Sequence, residues 1–167
     1  MMRRRMQGIY VVEFAIIGLL LFTLLFGVIE MGRLYFTVNT LNETVRRGAR
    51  LAAVCDISDP VILRRAIFNA ANDSGASNLI ANLQTADLTL TYLDADGAVV
   101  AAPSDTSGAD GFRAIRYVQL RVDNFTFDLL IPLLGTQLTL PSFRATLPRE
   151  SLGRHAEEGV TPEITPC

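Results

Sequence analysis

The sequence predicts an α+β protein: a long N-terminal helix followed by a small domain with one helix and an antiparallel sheet. Three observations carry that prediction. From Ile9 to Ile29 the chain holds a single charged side chain, Glu13, in an otherwise apolar run. Beyond it, Leu34, Val38, Leu41, Val45, Ala49 and Ala52 recur every three or four residues, the spacing of one helix face. After Asp87 the apolar period drops to two, which is that of a strand with one buried side.

The first helix is expected over 9–54, transmembrane over 9–29 and amphipathic over 30–54. At about 1.5 Å per residue the apolar part reaches roughly 30 Å, enough to cross a bilayer core. Arg3, Arg4 and Arg5 precede it and favour a cytoplasmic N-terminal side. Arg33, Arg46, Arg47 and Arg50 follow it, so the charge rule is not one-sided. A secretory signal would place small residues just after the apolar core, whereas Ala52 and Ala53 lie far beyond it. Glu30 precedes Arg33 by one turn, and Glu43 precedes Arg46 and Arg47 likewise, which allows weak local pairing.

The expected domain runs over 55–150, with a tail over 151–167. Asp59 and Pro60 open a second helix reaching about Asn72, and Asp73-Ser-Gly75 stops it. Leu88, Leu90 and Tyr92 mark a strand, and Asp94 to Gly97 is a turn into Ala98–Ala101, completing a hairpin. A loop from Pro103 to Gly111 leads to a long strand over Phe112–Phe127, where Val118, Leu120 and Val122 alternate with polar partners. Asp128 to Leu134 is an apolar connection containing Pro132. Thr136 to Leu147 is a last strand interrupted by Pro141, as suits an edge or bulge.

Glu13 needs a physical reason, because a carboxylate inside an apolar span is costly. Snorkelling to the headgroups is the bland explanation. The stronger one lies in Gly8, where a side-chain-free residue lets the chain leave the helix and lie extended for a protease. Cutting between Gly8 and Ile9 would place a new ammonium on Ile9, one turn from Glu13.

A basic leader, Gly8, then Glu13 at the head of an uninterrupted apolar helix resembles the type IV prepilin signature. With Phe26-Gly-Val-Ile-Glu-Met-Gly-Arg-Leu-Tyr35 and Arg46-Arg-Gly-Ala-Arg-Leu-Ala-Ala53, it resembles TadE-like pseudopilins of tight-adherence pilus systems. The resemblance covers about residues 5–54, and more loosely Thr139–Glu150. It implies a pilin-like lollipop shape and a leader over 1–8 removed by a prepilin peptidase. It also implies inner-membrane insertion with a periplasmic C-terminal domain, and assembly with other pilin-like subunits and the Tad inner-membrane machinery. In such an assembly Glu13 of one subunit would meet the Ile9 ammonium of a neighbour and fix the register. Phe14 departs from the Glu-Tyr pair usual in the major pilins, which are also far shorter, so the resemblance points to a minor component acting in assembly or initiation of an adhesive pilus. The alternative is an uncleaved single-span protein whose periplasmic domain binds or scaffolds an envelope complex.

Composition excludes other classes. The chain has 167 residues, half of them hydrophobic, with no tryptophan, which suits one membrane segment and one modest domain. Removing Met1–Gly8 leaves twelve basic residues against seventeen acidic ones, so a nucleic-acid surface is disfavoured. Arg46-Arg47 and Arg64-Arg65 lack interleaved aromatics and read as solvated helix faces. No nucleophile-and-base pair, glycine-rich phosphate loop or zinc spacing occurs, so no catalytic residue, metal, cofactor or small-molecule substrate is assigned and no enzyme is expected. His155 reads as a solvated tail residue, and Asp94 with Asp96 as a turn rather than a calcium loop. Cys55 and Cys167 would close a loop of roughly 110 residues if joined, worth about 4–5 kcal/mol in the chain-entropy model. A buried free Cys55, or a Cys167 that crosslinks to another subunit, are the competing accounts.

Overall fold

A computed structural model describes residues 7–57, 59–80, 82–106, 109–130, 135–154, 164 and 167. Arg3, Arg4, Arg5, Pro132 and His155 lie outside the described residues.

Helix α1 (Gln7–Val54) is a single element of 48 residues, about 72 Å at the standard rise. No proline falls within it, and its threonine and asparagine side chains donate to carbonyls one turn back. Thr23 donates to the Leu19 carbonyl at 2.7 Å, and Thr40 and Thr44 donate to the Phe36 and Thr40 carbonyls at 2.8 and 2.9 Å. The helix already includes Gly8, where the sequence suggested a chain leaving the helix. A glycine in the first turn costs little there, since that turn's N–H groups have no intrahelical partner to lose.

The expected stripe is the seam between helix and domain. Leu41, Val45, Ala49 and Ala52 are buried, and Leu34 and Val38 pack against the same core. Helix α2 (Val61–Ala66) begins where the Asp59 carboxylate accepts the Val61 N–H at 2.8 Å. It is shorter than the expected run to Asn72, because Phe68 adopts φ +66° and turns the chain. The Asn69 side chain then organises the following loop, donating to the Gly75 and Ala76 carbonyls and accepting the Asn78 N–H.

Three antiparallel strands cover the helix pair in the order β1 (Leu88–Leu93), β2 (Tyr117–Val122), β5 (Phe143–Pro148). Leu120 stands opposite Leu90 on one side and Ala145 on the other. Val118, Leu120 and Val122 are fully buried, while Tyr117 and Arg121 face outward, as the alternation required.

A second, two-stranded sheet pairs β3 (Thr126–Asp128) with β4 (Gln137–Thr139). The expected long strand over 112–127 is therefore divided. Phe112–Ala114 is a short 3-10 turn, and Asn124 at φ +55° swings the chain out of the first sheet after β2. The last strand is likewise divided at Leu140-Pro141, because proline has no N–H for the ladder. The hairpin after β1 has its turn but only a single bridge, Leu93 to Val99, in place of a second arm. Asp94 makes that turn, accepting the Asp96 and Ala98 N–H groups at 2.9 and 2.8 Å.

At the far end of α1, the segment after β5 returns to cap the helix. Glu150 and Leu152 donate to the Ala53 carbonyl and Gly153 donates to that of Val54. These groups satisfy carbonyls that a helix end otherwise leaves unpaired.

Candidate functional site

The first half of α1 is the candidate site, and the second half fixes what it can do. The most apolar 18-residue window of the helix has a mean hydropathy of 2.6, and none of it is buried by the rest of the protein. Phe14 is 78% exposed, Leu19 72% and Leu20 68%. In water so long an uncovered apolar surface would be untenable, and its length and composition are those of a bilayer-crossing helix. Tyr10 and Tyr35 flank it, both largely exposed, at positions where aromatic side chains sit at membrane–water interfaces.

Gly8, Ile9, Glu13 and Phe14 all lie in the first two turns. Ile9 and Glu13 stand one turn apart on one face, both exposed. Glu13 makes no hydrogen bond or ion pair among the described residues, so its partner must come from the chain's own N-terminus, from lipid or water, or from another molecule. Cys55 and Cys167 are brought together: they form a disulfide with Cα atoms 5.5 Å apart, and the Cys167 N–H donates to the Asp59 carboxylate at 2.8 Å. This pair is about 63 Å along α1 from Glu13, so the two features do not form one site.

Sequence reasoning missed the device that joins span to domain. Glu30 directly follows Ile29, the last residue of the apolar run, yet it is 5% exposed. One carboxylate oxygen accepts from Arg33 at 3.0 Å, and the other accepts the Leu130 N–H at 3.1 Å. The Arg33 guanidinium lies 5.1 Å from the Phe127 ring centroid and donates to the Asp128 carbonyl at 3.4 Å. Asp128 in turn binds the side-chain amides of Asn82 and Gln137. The expected local Glu30–Arg33 pair thus exists, but its main consequence is tertiary. The one available signal was position: an acid placed at the boundary of an apolar span has a reason to be there.

A cavity of about 490 Å³ opens beside this lock, lined by Arg33, Phe36, Leu79, Asn82, Phe127 and Asp128. No group of three or more His, Cys, Asp or Glu residues that could hold a metal occurs among the described residues.

Residues 8–50 match the family model described as TadE-like protein. The N-terminal segment is TadE-like. The match takes in Gly8, Glu13, Glu30, Arg33 and most of the buried stripe, and it stops before the disulfide and the sheets. No curated protein and no solved structure matches the chain. The TadE-like segment thus spans both the exposed apolar half of α1 and most of the stripe that the domain buries.

Proposed function

We propose that this protein is a minor pilin or pseudopilin of a tight-adherence pilus, acting in assembly or initiation and not in catalysis. On this reading residues 1–8 are a leader removed by a prepilin peptidase between Gly8 and Ile9. Residues 9–29 cross the inner membrane, 30–54 carry the domain, 55–150 form that domain in the periplasm, and 151–167 are its tail. The observation that supports it is the position of Glu13 within the TadE-like match: an exposed carboxylate one turn after Ile9, on the apolar half of α1 that no described residue covers.

The chemistry follows from cleavage. Hydrolysis of the Gly8–Ile9 bond leaves an ammonium at a helix end whose dipole already favours negative charge nearby. In a bundle of such helices, Glu13 of one subunit pairs with the Ile9 ammonium of the next. An unmatched charge in hydrocarbon is penalised, so the correct axial register is selected. Since α1 already includes the Gly8–Ile9 bond, the peptidase must unwind the first turn, which a glycine makes cheap.

The test is intact-mass analysis of the membrane-extracted protein with and without a co-expressed prepilin peptidase. A peptidase-dependent N-terminus at Ile9 is the expected result. A leader that stays intact would instead favour an uncleaved single-span protein with a binding or scaffolding domain.

A further inference from the structure

We infer that the membrane-proximal rim of the domain is a second lipid-contacting surface, so that the chain meets the bilayer through α1 and again around Leu79 and Leu130. The inference rests on α1 crossing the membrane and needs nothing from the pilus reading.

Three observations converge on this rim. The first is depth. Leu130 is held by its N–H to the carboxylate of Glu30, the residue immediately after the span, so this part of the domain sits at the level where α1 leaves the hydrocarbon. Headgroup layers extend the bilayer by roughly 5–8 Å on each side of its core, about four or five residues of helix. That interval takes in Arg33 and reaches toward Tyr35 and Phe36.

The second is chemistry. Leu130 is 62% exposed, Leu79 49% and Phe36 55%, from three separate parts of the chain. Phe36 and Leu79 line the same cavity beside Arg33 and Asp128. Isolated exposed leucines need no explanation, but apolar side chains gathered at one edge do. The opposite end of the domain lies near Ala52, about 33 Å further along α1, where Tyr92, Val100 and Leu152 are buried.

The third is charge. Arg33 is paired with Glu30, and Asp128 is bonded to the side-chain amides of Asn82 and Gln137, so these described rim residues carry no surplus of cations. Attraction to anionic headgroups is therefore not the driving force. The rim enters the interfacial zone by burying apolar area, as a lipid-facing helix does.

The absence of tryptophan from the chain supplies a clean reporter. The full-length protein is reconstituted, one copy per nanodisc, in phosphatidylcholine with and without brominated acyl chains. Four single variants are compared: Leu130→Trp and Leu79→Trp at the rim, Leu20→Trp in the span, and Val99→Trp at the far end, where Val99 is also exposed. Bromolipid should quench the two rim tryptophans and the span tryptophan and leave Val99→Trp unquenched, with the same result when phosphatidylglycerol is added. Quenched Leu20→Trp with unquenched rim variants would overturn the inference while leaving the span in place. Quenching only with anionic lipid would overturn the apolar mechanism. Rim fluorescence that blue-shifts only when two copies share a disc would assign the surface to a second chain and overturn it as well. An unquenched Leu20→Trp would remove the span and this inference together.

Discussion

The buried carboxylate of Glu30 accepts the backbone N–H of Leu130 at 3.1 Å, across 100 residues of sequence, while its other oxygen holds Arg33. Because Glu30 is at the end of the apolar run, this contact sets how the domain stands on the helix. Glu30→Ala strands a backbone N–H and an arginine together, and should cost about 1–3 kcal/mol. Glu30→Gln keeps an acceptor oxygen and should lose less. Amide exchange at Phe127 and Leu130 reads this directly: both should accelerate in Glu30→Ala, with the core amides of β2 protected as before.

At Gly48, α1, α2 and β2 approach closely. A Cβ on this residue would run into the Leu120 side chain and lie 2.8 Å from the Ala66 Cβ. Gly48→Ala should therefore destabilise by about 1–3 kcal/mol, despite alanine's better helix propensity. Thermal unfolding in detergent checks this, and an unchanged midpoint would refute the tight crossing.

The disulfide between Cys55 and Cys167 spans 112 residues. Its removal by Cys55→Ser with Cys167→Ser should lower stability by up to about 4–5 kcal/mol in the chain-entropy model. A non-reducing peptide map of periplasmically produced, monomeric protein should contain the linked Cys55 and Cys167 peptides, and their absence would reject the intramolecular bridge.

Tyr92 is buried, with its hydroxyl donating to the Ile57 carbonyl at 3.4 Å. Burial, aided by the Asp56 carboxylate, pushes its phenol well above the ordinary 10.0. The folded state thus holds this proton more tightly than the unfolded one. Its contribution is complete below about pH 10 and falls as pH rises beyond that. Denaturant midpoints measured across the alkaline range should drop more steeply for the native sequence than for Tyr92→Phe.

Glu13→Ala should leave membrane insertion intact and impair incorporation into a pilus assembly. Carbonate extraction measures the first, and crosslinking to neighbouring pilin-like subunits the second. Normal crosslinking of the variant would falsify the registry role.

The parts of the fold that periodicity encodes were legible in the sequence. The stripe from Leu34 to Ala52 and the alternation at Val118, Leu120 and Val122 each report one buried face. What periodicity does not encode was lost. A strand read from 112 to 127 hides a change of sheet, because the left-handed turn at Asn124 breaks it without interrupting the apolar pattern. The early end of α2 at Phe68 has the same character, since no glycine or proline announces it. At the candidate site, Gly8 and Glu13 were visible because a lone acid in an apolar run is conspicuous. The reach of Glu30 to Leu130 was not, since a local arginine partner already accounted for the acid.

The bridge at the top of α1 makes the domain a covalent ring hung from the helix. Any one nick in the backbone between Cys55 and Cys167 would leave both pieces fastened to the anchor, and only a reductant would let the severed portion drift away.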